Sequence, residues 1–167
     1  DFLLERFRAW YQDEGIPVAV YQSVLALKPQ VPADFHNRVQ AVEAFRKLSQ
    51  AATLAASNKR VSNLLEKEAS SSSNTEFNEN LLTEKAEKNL ALALKEMDNL
   101  VSPLFESGEY SAGLSKLAGL NDAVNDFFEN VLVNCEDSAV RENRIALLSQ
   151  LRALFLKVAD ISCLHTG

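Results

Sequence analysis

Apolar residues recur at helical spacing along almost all of the 167-residue chain, and this periodicity limits its fold more than any other feature. A repeat of three to four residues lines apolar side chains along one face of a helix. A half-buried strand instead needs strict alternation, which no segment sustains. The pattern predicts seven to nine helices joined mostly by short connections, and therefore an all-α helical bundle.

Polar residues that precede the apolar runs predict where several helices begin, because their side chains accept hydrogen bonds from free N–H groups of the first turn. Proline is favoured just inside a helix start, so the pair Ser102–Pro103 predicts a new helix there. The predicted capping residues are Asp34, Thr75 or Asn78, Ser102, Asn121, and Asn134 together with Asp137.

Residues 68–78, EASSSSNTEFN, break the helical pattern with a polar, serine-rich stretch. Such composition is typical of a loop or linker. We expect it to divide two helical halves of a single domain that covers residues 1–167. Because the chain starts at Asp1 and its only methionine is Met97, we also expect it to be a piece of a longer protein. No apolar run reaches the length of a membrane span, so we expect no membrane partner.

The net charge of −6 argues against non-specific nucleic-acid binding, which depends on neutralising phosphates. The charge is uneven, however. Residues 1–67 hold nine Lys and Arg against seven Asp and Glu, and the remainder holds eight against sixteen. A local basic patch for one specific nucleic acid thus stays possible.

Residues that could support catalysis or hold a metal are sparse. The chain has two histidines, five glycines and two cysteines. It has no Glu-x-x-His pair, no CxxC motif and no glycine-rich phosphate loop. We therefore expect no catalytic residue, cofactor or metal in this segment. Cys135 and Cys163 are expected to be reduced thiols that pack as small apolar groups.

The stretch NKRVSNLL, Asn58–Leu65, lies in a predicted helix over residues 50–67 that has one apolar and one polar face. The apolar face holds Leu54, Val61, Leu64 and Leu65. The polar face holds Lys59, Arg60, Asn63 and Lys67. Two interpretations stay open for the polar face: an ordinary solvated surface, or a row of donors for phosphates and base edges.

The last predicted helix has a wide apolar face, and three arginines lie within this face or at its edges. Arg144 falls inside the apolar arc, and Arg141 and Arg152 fall at its edges. A guanidinium on an apolar face needs a partner. That partner is either an acid or a helix end within the bundle, or an RNA phosphate or second subunit. Trp10 and Tyr11 likewise belong either to the core or to a base-stacking surface.

Several segments resemble, in order, the C-terminal region of the bacterial glycyl-tRNA synthetase β-subunit family. They are DFLLERFRAWYQDEGIP, VYQSVLA, NKRVSNLL and FFENVLVNCEDSAVRENRIALLSQLRALFLKVADIS. That region is similar to the DALR-type anticodon-binding domain, a helical bundle that also occurs in arginyl-tRNA synthetase.

The resemblance implies a non-catalytic, cytoplasmic tRNA-binding module of a two-subunit ligase. It implies tRNA(Gly) as one partner and, in a heterotetramer, a catalytic α subunit that uses ATP and magnesium to activate glycine. The RNA-binding candidates are Lys59, Arg60, Asn63, Lys67, Arg141, Arg144 and Arg152. The alternative is a helical docking module that holds synthetase subunits or domains together.

Overall fold

The computed structural model describes residues 2–68 and 76–165, and these residues form helices and no strands. The predicted all-α bundle is thus confirmed. Serine-tract residues 69–75 lie outside the described residues, as does the proposed cap Thr75. The α-helices are α1 (Phe2–Asp13), α2 (Val18–Leu25), α3 (Pro32–Arg46), α4 (Ala51–Glu68), α5 (Lys85–Glu106), α6 (Tyr110–Leu117), α7 (Asn121–Asn130) and α8 (Ser138–Leu156). Short 3-10 helices span Glu79–Leu81, Ala118–Leu120 and Ile161–Leu164.

The helices pack around one continuous apolar core. Helix α5 lies against α6, α7 and α8, and α3 lies against α6. The 3-10 helix Ile161–Leu164 packs against α2 and α4, so the end of the described chain contacts its N-terminal half. Large side chains at the centre are fully buried, among them Phe45, Leu54, Phe127, Leu151 and Phe155.

Several predicted helix starts are wrong because the polar residue is used elsewhere. Helix α3 begins at Pro32 after an extended Val31, as expected for proline in the first turn. Asp34 lies inside that turn and binds Arg38 and the Tyr110 hydroxyl instead of capping the helix.

The break predicted at Ser102–Pro103 is also wrong, because α5 continues through Pro103 to Glu106. The Ser102 hydroxyl donates to Asp98 one turn earlier, at 2.8 Å. Val101 and Phe105 are buried on the core side of this segment. Their packing outweighs the backbone hydrogen bond that proline removes.

Three asparagines do not cap the helices predicted for them. Asn121 is the first residue of α7 and makes no cap bond. Asp137 alone caps α8, accepting from the N–H groups of Ala139 and Val140, so Asn134 plays no part. Asn78 caps only the short Glu79–Leu81 turn.

Candidate nucleic-acid interface

The polar side of α4 forms an exposed surface, which we call the α4 face and define as Lys59, Arg60, Asn63 and Lys67. The helix is amphipathic, and its other side places Leu54 and Val61 in the core with no exposed surface. This side packs on α8 and on the 3-10 helix Ile161–Leu164. The two-sided pattern predicted for NKRVSNLL is therefore present in the fold.

The cations of the α4 face are available for an external anion. Within residues 2–68 and 76–165, none of them lies within 4 Å of a carboxylate oxygen. Glu66 is exposed on the same helix, two turns after Lys59. Positive charge is thus concentrated at the end of the face that carries Lys59 and Arg60.

Arg60 contacts an aromatic ring of a neighbouring helix. Its guanidinium carbon lies over the ring of Phe128 in α7, at 4.4 Å from the ring centroid. An arrangement of this kind attracts the cation to the negative face of the ring. The packing of α4 beside α7 brings these two side chains together.

The charge of Lys59 acts on the half-buried thiol of Cys163. Burial raises the pKa of Cys163, and the charge of Asp160 acts in the same direction, while Arg152 and Lys59 oppose the rise. Both cysteines are free thiols, as predicted.

Arg144 faces inward and is occupied by internal partners. Its side chain is 7% exposed, and Nη2 donates to Glu87 Oε1 at 2.8 Å and to Thr83 Oγ1 at 3.2 Å. Nη1 donates to the carbonyl of Leu132. Burial alone would lower the pKa of Arg144, but the hydrogen bond and charge of Glu87 outweigh it and raise the pKa. The geometry follows the intramolecular alternative and places no Arg144 donor at an RNA-accessible surface.

The other two arginines of α8 differ from each other. Arg152 binds both carboxylate oxygens of Asp160, at 3.0 and 3.1 Å. Arg141 is half-buried, and its Nε has no partner in the described part of the chain. The structure therefore does not bring Arg144 and Arg152 together with the α4 face as free cations.

The two aromatic candidates of α1 have different environments. Tyr11 is buried, and its hydroxyl lies 3.0 Å from Nδ1 of His36. Burial raises the pKa of Tyr11, and the nearby Tyr21 adds to the rise. Trp10 is 47% exposed and its ring contacts the rings of Tyr11 and His36. Tyr11 thus belongs to the core, and Trp10 presents part of its ring to solvent.

Within the part of the chain that the structure describes, no group of three His, Cys, Asp or Glu side chains is arranged to hold a metal ion. No described helix has the length and hydropathy needed to cross a bilayer. A groove of about 420 Å³ lies between α5 and α8, and none of the candidate residues lines it.

Comparison with known proteins points to one family. The DALR anticodon binding domain matches residues 54–162, a segment that includes the α4 face. The chain is 53% identical over 165 residues to "Glycine--tRNA ligase beta subunit" of Pseudoalteromonas translucida (strain TAC 125). It is 54% identical to the protein of that name from Glaesserella parasuis serovar 5 (strain SH0165), and 55% to that from Actinobacillus pleuropneumoniae serotype 7 (strain AP76). Each match covers 99% of this chain and 24% of the relative. The chain thus spans about a quarter of the length of these relatives.

Proposed function

The chain belongs to the DALR anticodon-binding domain family, and on that premise we propose that it is the tRNA-binding, anticodon-recognising domain of a glycine–tRNA ligase β subunit. The relatives named above carry that ligase name. The observation that carries the proposal is the α4 face, because it places unpaired cations and an amide on one exposed helix surface within the matched segment. We further propose that residues 1–167 act as one domain.

The groups on the α4 face suit different parts of a nucleotide. The ammonium groups of Lys59 and Lys67 are point charges that attract phosphate oxygens. The amide of Asn63 has donors and an acceptor for a base edge. Because binding of this kind releases counterions, affinity falls steeply as salt rises. The domain positions the tRNA and performs no chemical step itself.

In the complete ligase, the proposal assigns activation of glycine to an α subunit that uses ATP and magnesium. The heterotetramer would act in the cytoplasm on tRNA(Gly). The role of this chain is to hold the tRNA while the acceptor end is glycylated elsewhere. What supports this division of labour is the family membership, together with an exposed helix surface that carries three cations and one amide.

Charge reversal of the α4 face tests the proposal. We expect Lys59→Glu/Arg60→Glu to lower tRNA(Gly) affinity at least about tenfold in a filter-binding assay, because two attractive charges become repulsive. The matched control is Lys88→Glu/Lys95→Glu, which makes the same charge change at exposed positions of α5. Circular dichroism verifies that both variants are folded. If Lys59→Glu/Arg60→Glu binds as tightly as wild type, or if the control variant loses as much affinity, the α4 face is not the tRNA-binding surface.

A second candidate function is docking of another subunit or domain through α5. Leu92 and Leu100 are 59% and 53% exposed on this helix, so a partner that covered them would remove their apolar side chains from water. If the chain binds no tRNA at low salt, yet co-purifies with an α subunit and loses it on Leu92→Ser/Leu100→Ser, the docking function replaces the first.

A further inference from the structure

We propose that Arg60 is a stacking platform for one unpaired nucleobase, and that Phe128 holds its guanidinium in place. This inference rests on the proposed function and gives Arg60 a role distinct from that of the neighbouring lysines. Charge alone would make all the cations of the α4 face equivalent phosphate contacts. The contact with Phe128 makes Arg60 different from them.

Phe128 is a fixed support. The ring is half-buried and packs against the core, and it meets the fully buried Phe127 edge to face, with centroids 5.5 Å apart and planes at 87°. Because its neighbours hold the Phe128 ring in place, the ring restricts the motion of the Arg60 guanidinium that packs on it. Ordering the long arginine side chain before RNA arrives reduces the conformational entropy that binding must otherwise overcome.

The N–H donors of Arg60 have no hydrogen-bond partner among the described residues. Arg38 provides a comparison, because its Nε and Nη1 donors are engaged in hydrogen bonds within the bundle. Arg38 also lies over an aromatic ring, 4.5 Å from the centroid of Tyr110. However, Arg38 donates to Asp34 and to the carbonyls of Lys157 and Val158. In the described chain no acceptor is within hydrogen-bond distance of Arg60, and its side chain is exposed. Arg38 is therefore structural, whereas Arg60 is supported but unused.

A guanidinium is planar and weakly hydrated, so bases stack on its face, whereas an ammonium group offers no such plane. Around Arg60 the α4 face supplies the other contacts that one nucleotide needs. Asn63, about one turn further on, can reach a base edge, and Lys59 can reach the adjoining phosphate. A base inside a duplex has both faces covered by its neighbours. The ligand class is therefore an unpaired base in a single-stranded loop.

The test uses the full-length protein that contains this chain, and tRNA(Gly) transcripts with a single abasic site at each anticodon-loop position in turn. Arg60→Lys keeps the charge and removes the plane. We expect it to lower affinity about tenfold, with no change in salt dependence. The matched control, Lys59→Gln, keeps all stacking and should reduce the slope of log affinity against log salt by about 0.7.

The abasic series identifies the stacked base. At one loop position, removal of the base should lower affinity about tenfold for wild type but have no effect on Arg60→Lys, because both changes remove the same contact. At all other positions the two effects should multiply. Phe128→Leu should lower affinity as much as Arg60→Lys does, and combining the two substitutions should cause no further loss.

The outcomes separate the two levels of the proposal. If wild-type protein binds tRNA(Gly) but Arg60→Lys stays within twofold of it, or if the losses multiply at every position, the stacking role is overturned and the proposed function stands. Absence of tRNA binding by wild type at low salt overturns both.

Discussion

Replacing Arg144 by methionine should destabilise the chain severely, because it leaves a carboxylate without its cation in the core. Glu87 has no exposed surface, and the Arg144 side chain is only 7% exposed. The substitution removes the donors to Glu87, to Thr83 and to the Leu132 carbonyl. Glu87 Oε1 would still accept from the Glu84 N–H at 3.1 Å and from the Thr83 hydroxyl at 3.2 Å. Those neutral donors do not compensate a buried charge.

Removal of one partner from a buried ion pair costs about 3–5 kcal/mol of unfolding free energy. A domain of this kind has about 5–15 kcal/mol in total. With a urea dependence of about 2 kcal/mol per molar, the midpoint of urea unfolding should fall by about 1.5–2.5 M. The midpoint is read from circular dichroism at 222 nm at neutral pH.

Two further variants show whether the stranded charge is the cause. Glu87→Gln added to Arg144→Met removes the charge and should recover about 2 kcal/mol, because a neutral amide can keep the remaining hydrogen bonds. Lys157→Met breaks the pair with Asp98, whose side chain is 54% exposed, and should cost less than about 1 kcal/mol. The reasoning is refuted if Arg144→Met is as mild as Lys157→Met, or if the second substitution restores nothing.

Two other predictions concern packing and acid stability. A Cβ at Gly113 would lie 2.1 Å from the Phe105 ring, so Gly113→Ala should lower the free energy of unfolding in urea by about 1–3 kcal/mol. The control is Gly119→Ala, whose Cβ would meet Met97 at 3.4 Å and which should change that free energy little. Burial acts to raise the pKa of Asp160, but hydrogen bonds from Arg152 and Ser162 outweigh it and lower the pKa below 3.8. The stability that ionised Asp160 adds is therefore complete above pH 3.8 and is lost as the pH falls below it. When urea unfolding midpoints are measured from about pH 6 down to about pH 2, the difference between wild type and Asp160→Asn should shrink.

The long helices were predictable because an apolar stripe fixes them without reference to the rest of the fold. The helix predicted over residues 50–67 is observed as Ala51–Glu68. The start of α8 was predicted from Asn134 together with Asp137, and Asp137 alone caps it, so the helix begins at Ser138. In both cases the deciding interactions lie within a few residues of each other, so a single segment contains the whole signal.

The sequence did not identify the partner of a polar side chain where that partner lies far along the chain. Asp34 had the right type and position for a cap, but it binds Tyr110, which lies 76 residues further along the chain. Arg144 signalled the need for a partner, but nothing near it identified Glu87, which lies 57 residues earlier. The support of Arg60 by Phe128 likewise depends on the packing of α4 beside α7. Such pairings follow from the tertiary arrangement and leave no local trace.

The internal ion pairs explain why net charge is a poor guide to where this acidic chain would meet RNA. Ion pairs in the described residues occupy Arg38, Arg46, Lys47, Arg144, Arg152 and Lys157. To contact a phosphate, Arg144 would first have to leave Glu87, at a cost of several kcal/mol. The cations of the α4 face need no such exchange, because none of them is paired with a carboxylate of residues 2–68 and 76–165. The α4 face therefore offers exposed cations that an anion could contact without breaking an ion pair, whereas Arg144 and Arg152 on α8 do not.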